Sequence, residues 1–228
     1  METKKRKMKL QNSFPKKAIK KSKDLWESHG LDDVYFQRET QVNFWSIMGG
    51  VAAAALLSQF FPLLEQVKAS KWYLVLYFLA SLFILINGWV QTSWGTLVVK
   101  WPIYFPIILP HFFTLICMAI MCLLVTSPPG WSLSVGFVLF FNLLHQRSFI
   151  VSGAWEIYSP KLKKGFQRYI AIYFCLMILC FAISALLFLY PSKTFELVWG
   201  ILALMISITA IFLQHRGMER ERQEIGIP

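Results

Sequence analysis

Acidic side chains are scarce in this sequence: 12 Asp and Glu stand against 23 Lys and Arg, and charges of both signs make up only 15% of its 228 residues. Soluble domains carry about a quarter charged residues, so the deficit excludes an ordinary water-facing surface. The short motifs that announce chemistry are missing as well. There is no Walker A loop, HExxH, GxSxG or zinc signature, and no acidic ring, Arg-rich voltage sensor or selectivity filter. No internal repeat supports an inverted-repeat transporter. A non-enzymatic protein without a cofactor or catalytic residues is the expectation.

Cysteine is sparse too. Cys117, Cys122, Cys175 and Cys180 fall in two pairs with five-residue spacing, all inside apolar runs. That pattern fits neither a secreted disulfide framework nor CxxC metal or redox spacing, and it reads as small buried hydrophobes. No cleaved signal peptide is expected, because a long basic segment precedes the first apolar run.

What the chain has instead is apolar length. Hydrophobic residues make up 56% of it and aromatics 16%, and several runs approach the roughly 20 residues that cross about 30 Å of hydrocarbon. Six are marked: Phe44 to Leu64, Trp72 to Trp94, Ile103 to Thr126, Trp131 to Ser152, Tyr169 to Tyr190, and Phe195 to Leu213. Breakers separate them at Pro62 to Lys71, Trp101-Pro102, Pro128-Pro129-Gly130, Ser159 to Arg168, and Pro191-Ser192-Lys193. The expected fold is all-α, a polytopic transmembrane helix bundle of six spans. It divides into a basic tail at 1–43, the bundle at 44–214 and a short charged C-terminus at 215–228.

Orientation follows from the basic residues, because positive loops stay cytoplasmic. With both termini inside, 19 Lys and Arg fall on the cytoplasmic side and 3 (Lys68, Lys71 and Lys193) outside, with Arg147 inside the fourth run. Trp45, Trp72, Tyr73, Trp94, Trp101, Trp131, Trp155, Tyr158, Tyr169 and Tyr190 sit near run ends, where amphipathic rings favour the headgroup region. Glu65 and Glu196 read as solvated residues of the outer loops, and Glu156 as interfacial. The outer loops are too short to hold a domain.

The tail carries Lys4, Lys5, Arg6, Lys7, Lys9, Lys16, Lys17, Lys20, Lys21 and Lys23, with no acidic residue between Thr3 and Lys23. Ala18, Ile19, Leu25 and Trp26 can share one helical stripe, with Ser13 as a cap and Gly30 as a stop. Such a helix would lie on an anionic inner leaflet, each lysine contributing about 1 kcal/mol near the surface. A disordered tail whose charge only enforces topology is the competing reading. A cytoplasmic protein partner is a further one; no recognition module for nucleic acid accompanies the charge.

Polar residues within the runs form the candidate site. Asn87 and Gln91 are four residues apart on one helical face. The third run opens with Pro102, Pro106 and Pro110, which bend a helix, followed by His111. The fourth carries Asn142, His145, Gln146 and Arg147, although at about 100° per residue Arg147 points away from Asn142. All belong to the cytoplasmic half under this orientation and are expected to converge. Polar groups in spans either glue helices together or line a substrate or ion path. Gly49-Gly50 followed by Ala52 to Ala55 offers a small-residue face for close packing, internal or between copies in a homo-oligomer. Three readings of function result: a small channel or transport component, a membrane-anchoring or sensing subunit that recruits a cytoplasmic partner in a stress or defence system, and a lipid-active membrane enzyme.

Overall fold

The computed structural model describes residues 34–93, 105–151 and 160–225, and every regular element in them is helical. Among these residues seven helices follow in order: α1 (Val34–Ser58), α2 (Phe60–Lys68), α3 (Leu74–Ser93), α4 (Phe105–Leu123), α5 (Pro128–Val151), α6 (Pro160–Leu189) and α7 (Lys193–Ile225). Residues 1–33 of the basic tail, the Trp101-Pro102 break, and Trp94, Lys100, Trp155, Glu156 and Tyr158 lie outside the described residues, whereas residues 34–43, expected in the tail, are the helical start of α1.

Four stretches are long and apolar enough to cross a membrane: Ser46–Lys68, Leu74–Thr92, Tyr169–Leu189 and Lys193–Glu219. Leu109–Leu123 is apolar but shorter. α5 has 24 residues, enough to span, yet it carries Ser132, Ser134, Asn142, His145, Gln146 and Arg147. Its position accounts for that polarity. It packs on α6, α4 and α3, and Ser132, Ser134, His145 and Gln146 are all buried. Its exposed stripe, by contrast, carries the apolar Leu133, Phe137 and Phe140. Around the outside, Phe61, Phe188, Leu189, Met205 and Phe212 are each at least 60% exposed, an apolar exterior suited to hydrocarbon and not to water.

Several boundaries differ from the sequence reading for local reasons. The first break falls at Gln59, not after Pro62, and the chain stays helical through Pro62 to Lys68. Pro62 has no N–H to give the carbonyl four residues back, and its ring crowds that carbonyl. The interruption therefore lies just upstream, where the Gln59 N–H reaches only to Leu56 O (3.1 Å). α2 then ends in a Schellman arrangement: the Lys71 N–H donates to Gln66 O (2.9 Å) and the Ser70 N–H to Val67 O (3.0 Å). Ser70, at φ 66°, takes the left-handed position usually given to glycine. Pro128 and Pro129 do not lie between helices but open α5, where a missing N–H costs nothing. α4 runs through Pro110, whose carbonyl accepts from Thr114 Oγ1 (3.0 Å).

One end of the bundle is tied by aromatic and hydroxyl groups. Tyr77 and Ser81 on α3 share a face with Tyr73 just before it, at four-residue intervals. The Trp131 indole N–H on α5 donates to Ser81 Oγ (2.7 Å), which donates to Tyr77 O (2.8 Å). Trp199 on α7 donates to Ser132 Oγ (2.7 Å), and Ser184 on α6 to Pro129 O (2.8 Å). The Tyr77 ring meets Trp131 edge to face, centroids 5.1 Å apart, and its hydroxyl donates to Glu196 O (2.6 Å). Tyr73 donates to the Glu196 carboxylate. Burial, then this hydrogen bond and the charge of Glu196, hold the Tyr73 phenol above its usual pKa. These contacts place the starts of α3, α5 and α7 beside the end of α6. The main buried cluster, including Leu56, Leu74, Met121, Val125 and Leu187, surrounds them.

Tyr73 and Trp131, expected at the headgroups, are thus core residues at 5% and 1% exposure. Glu196 is a half-buried acceptor, not a solvated loop residue. Trp72 and Tyr190 do stay exposed. Of the cysteines, Cys122 and Cys180 are buried and Cys117 half-buried, whereas Cys175 lies on the exposed exterior; all four are free thiols.

Close helix contact comes from single glycines. A Cβ on Gly136 of α5 would stand 2.6 Å from Phe181 of α6, and one on Gly200 of α7 3.1 Å from Tyr77 of α3. Gly49 and Gly50, expected to pack closely, face open space instead, with nothing within 4 Å of an added Cβ.

Candidate functional site

At the end opposite the aromatic tie, polar side chains come together around a cavity of about 400 Å³ between α1, α3 and α4. Gly49, Gly50 and Ala53 of α1 form one wall, Gly88, Gln91 and Thr92 of α3 a second, and His111 and Thr114 of α4 a third, with Asn142 of α5 reaching in. The small residues of α1 leave the space that a larger side chain would fill.

Two histidines anchor this end. The His111 and His145 rings lie 4.6 Å apart between centroids, tilted by 41°, and His145 is only 5% exposed. Thr92 Oγ1 donates to Gly88 O (2.8 Å) and stands 3.3 Å from His111 Nε2. The direction of that second contact follows the His111 tautomer. Two imidazoles in contact, one oriented by a hydroxyl, can accept or donate a proton and can bind a polar solute. They do not make a metal site by themselves: among the described residues no three His, Cys, Asp or Glu side chains gather.

The seven residues singled out from sequence divide. Gln91, His111 and Asn142 line the first cavity and His145 stacks on His111. Gln146 is buried at 4% exposure but opens on a second cavity, between α6 and α7, which Gln91 also borders. Asn87 is half-buried and lines neither, and Arg147 is exposed on the outer side of α5. Convergence thus holds for four residues; Gln146, one turn on from Asn142, borders the second cavity instead.

Sequence reasoning missed Thr92, Thr114 and Gln214. The two threonines are hidden in apolar runs, but each lies four residues beyond a Gly or Pro whose carbonyl its hydroxyl caps. Gln214 fell just past the expected end of the last span, whereas α7 continues to Ile225 and encloses its amide. Tyr169, expected as an interfacial anchor, walls the second cavity.

No family model matches this chain, and no curated protein or solved structure shows detectable similarity to it.

Proposed function

We propose that this chain is a six-span membrane protein with both termini cytoplasmic, acting without enzymatic chemistry as a small channel or transport component. The observation that carries the reading is the His111–His145 pair, the first half-buried and the second buried, set in apolar helices beside a cavity that Gln91, Thr92 and Asn142 also border. Polar and ionisable groups inside a membrane are costly to bury and tend to face a pathway or binding site. A small polar solute, or a proton passed between the imidazoles, fits their chemistry. The test is flux in proteoliposomes under an imposed pH or solute gradient, comparing wild type with the His145→Ala, Asn142→Ala double variant. Flux that is unchanged in that variant removes the site. Reporter fusions at Met1 and Pro228 test the orientation, which requires both on the cytoplasmic face.

A second reading, recruitment of a cytoplasmic partner, is favoured by the length of α7. Its 33 residues extend about 50 Å at the usual rise, well beyond about 30 Å of hydrocarbon. Pull-down from solubilised membranes, with the chain truncated after Gln214 as control, separates the two. A partner-free protein with flux leaves only transport.

A further inference from the structure

α6 and α7 follow one another in the chain yet make little direct contact, because α6 packs on α5 and α7 on α3. Between them lies a second cavity of about 370 Å³. Ile172 and Leu176 of α6 and Leu202, Met205, Ile206 and Leu213 of α7 give it apolar walls. Its polar groups cluster toward the end of α7, and among the described residues no Asp, Glu, Lys, Arg or His lines it.

Two amides in it lack protein partners. Gln146 Oε1, on a side chain 4% exposed, has no hydrogen-bond donor among the described residues, and the Gln214 amide has neither donor nor acceptor. A buried polar atom left this way is costly. In hydrocarbon the remedy must come from a molecule that enters the cavity.

We propose that this cavity binds an uncharged glycerolipid with a free hydroxyl, of the diacylglycerol class, entering sideways from the bilayer. The lipid hydroxyl has one proton to give, and Gln146 Oε1, on the more deeply buried side chain, takes it. Gln214 Nε2 needs an acceptor, which an ester carbonyl of the same head supplies. A quinone head has no donor to give. A phosphate head would bring a negative charge to a cavity that holds no cation, at a heavy desolvation cost. A sterol has no carbonyl, so its single oxygen would have to meet both amides. The acyl chains would lie along the exposed Ile172, Leu202, Met205 and Leu213, in the gap where α6 and α7 part.

The full-length protein in nanodiscs, with a trace of photoactivatable diacylglycerol, tests this. Cross-links are expected on residues 169–176 or 202–218. Excess unlabelled diacylglycerol should reduce them at least tenfold, whereas phosphatidylglycerol or a sterol at the same fraction should not. Ala210→Phe, which fills the cavity without burying a polar group, should remove the labelling, as should the Gln146→Leu, Gln214→Leu pair. Labelling that does not saturate, that phospholipid or sterol competes equally, or that survives Ala210→Phe overturns the proposal. The wild-type competition decides the matter even where a variant fails to assemble.

Discussion

Trp199 of α7 donates its indole N–H to Ser132 Oγ of α5 at 2.7 Å, and that hydroxyl passes its own proton to Pro128 O at 2.9 Å. The same device recurs one layer away, from Trp131 through Ser81 to Tyr77 O. In each case a serine mid-face on one helix serves a tryptophan from another. Hydrogen bonds between membrane helices are worth about 0.6–2 kcal/mol each, so the two relays contribute modestly to stability and strongly to register.

Ser132→Ala leaves the Trp199 N–H buried without an acceptor and should destabilise the bundle by about 1–3 kcal/mol. Trp199→Phe removes donor and acceptor demand together but loses packing. A double-mutant cycle by reversible unfolding in mixed micelles should return a coupling of at least about 0.5 kcal/mol. Purely additive losses would show that the bond carries no weight.

Gly136→Ala places a methyl 2.6 Å from the Phe181 ring and should cost about 1–3 kcal/mol through overpacking. Phe181→Leu in the same chain should recover part of that loss. Thermal unfolding in detergent reads both.

Gly50→Val behaves differently, because nothing stands within 4 Å of its Cβ. Stability should change by no more than about 1 kcal/mol, the scale of glycine effects inside a helix. Any flux through the cavity should fall, since the new side chain projects into it. A protein that unfolds instead would show α1 pressed closely against a neighbour.

Ser70→Gly should stabilise by about 0.5–1 kcal/mol, because glycine adopts φ 66° without strain. The gain should be independent of lipid composition, and unfolding in two different detergents would show whether it is.

The tie also sets a pH dependence. The Tyr73 pKa is raised in the folded protein by burial and by Glu196, so its contribution is fully present below the unfolded tyrosine value of about 10. It is lost as pH climbs above that value toward the folded pKa. Stability should therefore fall above about pH 10, and Tyr73→Phe should flatten the fall. An identical alkaline profile in Tyr73→Phe would remove Tyr73 as its source.

The helical class and the long apolar spans were legible because hydropathy measures what a lipid-facing helix must show. α5 is more polar for its own reason: it buries Ser132, His145 and Gln146 against its neighbours while Leu133, Phe137 and Phe140 stay exposed. Tyr73 and Trp131 look like interfacial anchors in one dimension, since a ring near the end of a span has two homes. Which home it takes depends on a partner more than 40 residues away, as Ser81 is for Trp131. The four-residue interval of Tyr73, Tyr77 and Ser81 was the available signal. The gathering of Gln91, His111, Asn142 and His145 followed from depth alone, but the second cavity that Gln146 borders did not.

The aromatic tie at one end makes the bundle a set of levers with a shared fulcrum. α3, α5, α6 and α7 are pinned to one another near Tyr77, Trp131, Ser184 and Trp199, while both cavities lie at the free ends of the arms. A small rotation about the pinned end displaces the far tips most. Gln91 borders both cavities, so a change of that one side chain bears on each.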